Sequence, residues 1–360
     1  IGSLPSGRLG DLWGRRRMML VFFFGMGLAA LLASLAANAW QLAGALALIG
    51  AFASIYHPVG IPMLVQRTRK PGIAIGINGL AGNLGVALAA LTTGFLIKWM
   101  GWRAGFAVPG VAALLCGVWF AVACPHEAEP PARRKGGARV VLSPAALARV
   151  LVVVTAAAVT GSLLFNFTTN GNAQLLAERF RGIIEDPALL GALLATIYAV
   201  ASLSQMVFGR LADRLSLKPL FLFVILGQIP LLALAAQADG WWLFGALLGA
   251  MVFIFGAIPF VDMIIVRYVD DRVRSRVAGI RLTVSFGVSS LAVWLLGPVV
   301  KSMGFDALFW MMAALAVCTS MMVLLLPNES EALAEETRRD SPDARAADPS
   351  TAPEASVDSI

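Results

Sequence analysis

The sequence predicts an all-α, polytopic membrane protein assembled from two parallel, homologous halves. Three observations lead there: long apolar runs without charge, a one-sided distribution of basic residues, and an internal repeat. Hydrophobic residues make up 59% of the chain and charged residues only 14%, with a mean hydropathy of +0.80. A soluble domain is about a quarter charged. The apolar runs are about 20 residues long, the length a helix needs to cross a hydrocarbon core of ~30 Å. Only helices and closed barrels satisfy every backbone polar group inside lipid. Barrel strands alternate with period two, and a run such as MMLVFFFGMGLAALLASLAA (18–37) does not.

Ten spans follow from this pattern, near 18–37, 41–65, 73–100, 102–123, 147–169, 189–209, 218–237, 240–266, 276–301 and 305–326. Threading them through a bilayer puts 20 of the 28 Lys and Arg on the side of the segment Gly7–Arg17, and five on the opposite side, with three in the tail. By the positive-inside rule the Gly7–Arg17 loop is then cytoplasmic, and so is the C-terminus. The formal charge of +7 is thereby accounted for by topology, and nucleic acid is not an expected partner. Cys116, Cys124 and Cys318 lie in or beside apolar runs, without the spacing of a metal site or a disulfide framework. No glycine-rich nucleotide loop, metal cluster or serine-histidine-aspartate set is apparent, so neither a cofactor nor an enzymatic activity is expected.

The repeat is the most informative feature. GRLGDLWGRRRMML from Gly7 aligns with GRLADRLSLKPLFL from Gly209 at an offset of 202 residues. At an offset of 203, Gly76, Ile77, Gly94, Lys98, Met100, Gly101 and Phe106 match Gly279, Ile280, Gly297, Lys301, Met303, Gly304 and Phe309. Residues 1–123 therefore form a first transmembrane half, 124–146 a Pro/Gly-rich basic connector with little fixed structure, and 147–327 a second half. Residues 328–360, with nine acids and almost no large apolar side chains, read as a disordered cytoplasmic tail. By subtraction, the first half lacks about 50–55 residues that the second half has ahead of its repeat motif, that is one helix and most of another.

The opening segment resembles the Gly-x-Leu-x-Asp-x-x-Gly-Arg-Arg signature of the major facilitator superfamily, carried here by Gly7, Leu9, Asp11, Gly14, Arg15 and Arg16 with Arg8 between them. The copy at Gly209, Arg210, Leu211 and Asp213 is degraded, with Ser216 where a glycine would stand. The resemblance implies a secondary transporter in which two six-helix halves alternate access to a central site. The ten spans are then the family's helices 3 to 12, with helix 1 and most of helix 2 missing. YHPVG (Tyr56–Gly60) and GNLG (Gly82–Gly85) are further similar to bacterial members related to fosmidomycin-resistance efflux proteins, with Val59 following the proline here. The implied setting is a bacterial inner membrane, and the implied partners are lipid, a small-molecule substrate and protons, for a protein acting as a monomer. Efflux of a small amphiphilic or drug-like molecule is the first reading. Uptake of a small organic anion or metabolite is the second, and a non-transporting scaffold or sensor is the third.

The resemblance also implies that the motif aspartates sit at helix N-termini of the opposite half, where a carboxylate meets partial positive charge. Asp11 would face the segment near Arg274 and Arg276, and Asp213 the segment near Arg69, so that both latch a cytoplasmic gate. Ionisable groups inside the spans are few and costly, hence candidates for function. Asp262 and Arg281 fall at similar depth on neighbouring spans, either as a structural ion pair or as a proton-coupling carboxylate with its counter-charge. His57 lies near mid-span, where Pro58 and Pro62 delete helical hydrogen bonds and leave a kink; it is either a titrating group or a donor to a freed carbonyl. Tyr56 precedes it. Asn78 and Asn83 interrupt a ridge of glycines at 76, 79, 82 and 85, as interhelical glue or as cavity groups. Asn166 with Thr168, Thr169, Asn170 and Asn172 gives the span 147–169 a polar end with Gly171 as its expected bend, and Tyr198, Ser202 and Gln205 add polar groups from 189–209.

Overall fold

The computed structural model describes residues 2–66, 68–134 and 142–327, which among them contain helices and no strand. The first half comprises α1 (Ser3–Trp13), α2 (Arg15–Ser34), α3 (Ala39–Ala53), a π-helical turn (Tyr56–Gly60), α4 (Ile61–Val65), α5 (Pro71–Met100) and α6 (Ala104–Ala123). The second comprises α7 (Pro144–Arg179), α8 (Pro187–Ala212), α9 (Leu217–Gln237), α10 (Gly240–Tyr268) and α11 (Arg274–Leu324). Eight of the described helical segments are long and apolar enough to cross a bilayer. The ten expected spans appear as α2, α3 with α4, α5 to α10, and the two arms of α11.

Local chemistry sets the boundaries. The Asn38 side chain accepts from Gln41 N at 2.9 Å to cap α3, and Ser143 accepts from Ala146 N at 3.3 Å to cap α7, with Pro144 in the first helical position. The repeat mates Gly101 and Gly304 both adopt a left-handed backbone, φ 81° and 78°, which a side chain would disfavour. Gly101 separates α5 from α6, and Gly304 bends α11 into its two arms.

Four expectations are corrected. Gly7–Arg17 is not a loop: it is helical through Trp13, breaks at Gly14 (φ 107°) and resumes at Arg15. The segment 41–65 is not a simple kinked helix. With Pro58 and Pro62 unable to donate, the backbone widens into the π turn, in which Val59 N still reaches Ile55 O at 3.2 Å. The helix expected over 147–169 runs to Arg179, and Gly171 lies within it against Phe305 rather than at a bend. The connector is not loose throughout, because Cys124–Arg134 is fixed by hydrogen bonds described below; its residues 135–141 lie outside the described residues, as does the tail 328–360.

The second half holds a continuous apolar core, with Phe180, Phe221, Phe260 and Phe309 fully buried. The halves meet along two seams, α5 on α8 and α1 on α11. Both are backbone-on-backbone crossings. A Cβ on Gly72 would strike the Gly209 carbonyl, and one on Gly209 would strike that of Gly72. At the other seam a Cβ on Gly7 would strike the Ser275 carbonyl, and one on Gly279 that of Ser3. Gly76 also rests on the Gln205 carbonyl, and Gly79 on the Gln205 side chain. Farther along, Gly82 and Gly85 of α5 and Gly287 of α11 have nothing within 4 Å of a would-be Cβ. The seams are thus closed at the arginine-rich end and part toward the other.

Gly209→Ala should force the α5–α8 crossing open and lower stability by ~1–3 kcal/mol. Gly245→Ala, where a Cβ meets nothing within 4 Å, should be neutral or slightly stabilising. Thermal unfolding of both variants in detergent checks this; equal melting temperatures would count against the crossing.

Candidate functional site

At the arginine-rich end, each seam is fastened by one carboxylate. Asp11 on α1 accepts from the Ser275 and Arg276 backbone N–H groups at 3.2 and 2.8 Å, at the start of α11. Asp213, just past α8, accepts from those of Gly72 and Ile73 at 2.8 and 2.9 Å, at the start of α5. These are the same bonds in repeat-related positions. Each places an anion on the free N–H groups of a helix start, where it is favoured by hydrogen bonding and by the helix dipole. A second pair repeats too. Arg16 Nε donates to the Cys124 carbonyl at the end of α6 at 2.9 Å, and Lys218 Nζ donates to the Leu326 carbonyl at the end of α11 at 2.7 Å.

The seams differ in what surrounds the carboxylate. Arg15 is fully buried. Its guanidinium donates to Ser275 Oγ (3.0 Å), to Asp271 Oδ1 and the Asp271 carbonyl (2.8 Å each) and to the Pro62 carbonyl (3.4 Å), and lies 3.5 Å from Asp11. Asp271, between α10 and α11, also pairs with Arg274 at 2.8 Å and with Arg134 of the connector at 3.1 Å. Glu127 of the connector holds Arg134 at 2.8 Å and accepts from Arg16 N at 3.0 Å. At the Asp213 seam, Leu217 occupies the place of Arg15. Arg8 and Arg210 are exposed. Burial pushes the Asp271 carboxyl up, but Arg15, Arg274 and Arg134 around it outweigh this and hold it below the ordinary 3.8.

Beyond the seams lies a cavity of about 480 Å³ between the halves, in the size range of small-molecule sites. One wall is apolar, with Ala157, Leu164, Phe221, Ile254 and Val261 among its residues. Polar groups converge on it from both halves. Asp262 of α10 pairs with Arg281 of α11 at 2.8 Å. His57, on the π turn, is exposed to the cavity and packs edge-on between Tyr56 and Phe286. Tyr56 donates to Asn78 Oδ1; Asn78, Asn83 and the buried Gln205 also line it. Asn166 is a correction: its amide donates to the Ser162 carbonyl of its own helix at 2.8 Å, and it is not among the lining residues. Thr168, Thr169 and Asn170 bond their own helix in the same way, and Tyr198 donates to the Thr168 carbonyl at 3.3 Å. The polar part of α7 that does reach the cavity lies one turn earlier. Ser162 bonds Ser289, and Thr160 bonds Thr319, each at 2.7 Å, and Gln228 joins them in the lining. Single hydroxyls inside apolar spans give no pattern by which a sequence reading separates these from hydroxyls that bond back to their own helix.

The family model of the Major Facilitator Superfamily matches residues 1–183 and again 182–355. The chain belongs to this superfamily. Its members are transporters rather than enzymes, and they reside in membranes as multi-pass helical proteins. Multidrug resistance protein MdtG of Serratia proteamaculans is 27% identical over 322 residues, covering 86% of this chain and 76% of MdtG. The puromycin resistance protein pur8 of Streptomyces alboniger is 35% identical over 115 residues, but the match spans only 23% of pur8. The probable actinorhodin transporter of Streptomyces coelicolor is 34% identical over 138 residues, again 23% of its length. In fold, the chain is similar to the E. coli fucose:proton symporter FucP, with a TM-score of 0.73 at 12% identity, over 91% of this chain and 88% of FucP.

A carboxylate whose pKa is lower folded than unfolded adds stability above its unfolded pKa and loses it as the pH falls through the folded one. The Asp271 tie should therefore be at full strength near neutrality and fade only below about pH 4. Thermal unfolding of wild type and Asp271→Asn across pH tests this, since the gap between them should shrink on acidification. A gap that stays constant would refute it.

Proposed function

We propose that the protein is a proton-coupled exporter of a small amphiphilic molecule in a bacterial inner membrane, working as a monomer by alternating access. The observation that carries this reading is the arrangement of one cavity, mostly apolar and edged by His57, Asp262 and Arg281, sealed at a single end by two repeat-related latches. The excess of Lys and Arg assigns the sealed end to the cytoplasm, so the cavity faces outward in this state. The similarity to a multidrug resistance protein over most of both chains supports an amphiphilic cargo and export.

In this reading Asp11 and Asp213 stabilise the outward-facing state, since their bonds to α11 and α5 exist only while the seams are shut. Leaving that state breaks four carboxylate-to-backbone bonds and the Arg15 bonds to Ser275 and Asp271. His57 takes up and releases the proton: it is the titrating group open to the cavity, beside an Asp262 already engaged by Arg281. Imidazole changes charge in the physiological range. Tyr56 and Asn78 hold the neighbouring stretch of the π turn against α5.

Proteoliposomes loaded with a pH-sensitive dye test this. A transported amphiphile should drive proton movement; His57→Ala should abolish that coupling, and Asp11→Ala should slow turnover about tenfold or more while leaving the protein inserted. Cargo movement without proton movement would sink the coupling, and an Asp11→Ala variant with wild-type rates would sink the latch.

A further inference from the structure

The charge inside the cavity is nearly self-cancelling. Among the described lining residues, Asp262 and Arg281 are the two that carry formal charge at neutral pH; Tyr56 and His57 are the remaining titratable groups. Asp262 and Arg281 spend their charge on each other at 2.8 Å, with side chains only 14% and 9% exposed. Tyr56 is engaged as a donor to Asn78. What the cavity offers a ligand is an apolar wall and a band of uncharged hydrogen-bonding groups from Asn78, Asn83, Thr160 and Ser162.

We propose that Asp262 and Arg281 act as an internal salt that fixes the charge class of the ligand, so that the cavity takes uncharged amphiphiles and rejects organic cations and anions. This rests on the reading of the cavity as the cargo site. An ammonium ligand would need Asp262 as its counter-ion and would strand a buried guanidinium. A carboxylate ligand would need Arg281 and strand a buried carboxylate. Removing one partner of a buried pair is strongly unfavourable, because the other is left uncompensated. A hydroxyl or amide loses little on entering, since neutral donors and acceptors replace water. The pair therefore determines specificity by occupying both charges that a ligand would otherwise use.

The test uses three ligands with one apolar body: naphthylbutanol, naphthylbutanoate and naphthylbutylammonium. Each is titrated calorimetrically against the full chain in zwitterionic nanodiscs, with empty nanodiscs subtracted, at about pH 8 where free histidine is neutral. For the wild type the alcohol should bind at least about tenfold tighter than either ion. Arg281→Gln should free Asp262 and make the ammonium the preferred ligand, and Asp262→Asn should do the same for the carboxylate. The double variant Asp262→Asn/Arg281→Gln, which leaves no unpaired charge, should fold if either single variant does not, and should keep the preference for the alcohol. Equal binding of all three by the wild type would overturn the charge assignment alone. So would a single variant, or the double variant, that fails to show its stated preference. Failure of the wild type to bind any of them would overturn the cavity as cargo site and the present inference with it.

Discussion

A carboxylate seated on the bare N–H groups of a helix start is the interaction on which the rest of the structure depends. It occurs twice, at Asp11 and at Asp213, and each time it ties one half of the chain to the other. Its reach is short, so the helices bearing donor and acceptor must touch at the backbone. That requirement explains the glycines: Gly72 and Gly209 at one seam, Gly7 and Gly279 at the other, leave no space for a Cβ. Closure of both seams at one end, while a Cβ on Gly82 or Gly287 farther along α5 and α11 would touch no neighbour, leaves the cavity between the halves. Latch, crossing and cavity are thus one geometric solution, made twice by a doubled chain.

The duplication is not perfect, and the departures fall where the two seams must differ. The charge of the buried Arg15 is compensated, because Asp11, Asp271 and three further acceptors surround it. Its counterpart is Leu217, so at that position the Asp213 seam has an apolar side chain beside its two backbone bonds. The connector adds to the imbalance by placing Glu127 and Arg134 on the Asp271 side. A charge network of this kind contributes little through any one exposed pair, but a buried arginine resists the loss of any single partner. The inequality is built into the sequence through Arg15, whose repeat mate is Leu217.

Much of this was legible in the sequence. The spans followed from run length, because lipid leaves the backbone few choices, and the seam contacts of Asp11 and Asp213 were implied by the family resemblance that the motif carries. The pairing of Asp262 with Arg281 followed from equal depth on adjacent spans. What was not legible depended on side-chain direction. Asn166 and Ser162 are one turn apart on α7 and equally polar, yet only Ser162 faces the cavity, since Asn166 folds back to bond it. Asp271 gave no signal, because an acid in a loop between two spans is ordinary until Arg15 and Arg134, both distant in the chain, join the nearby Arg274 around it. Nor did the two prolines disclose the π turn, since loss of the same donors is also met by a plain kink.

That π turn settles a question of helical phase. A π turn holds one residue more than the α turn it replaces, and one residue corresponds to about 100° of rotation about the axis. Tyr56 and His57, at its start, look into the cavity, while Val59 packs beneath Gly10 and the Pro62 carbonyl meets Arg15. A regular α-helix through the same stretch would carry the later residues out of that alignment: with His57 kept on the cavity, the Pro62 carbonyl would be turned away from the arginine. The inserted residue is a phase offset that lets a single short segment serve the cavity at one end and the sealed seam at the other.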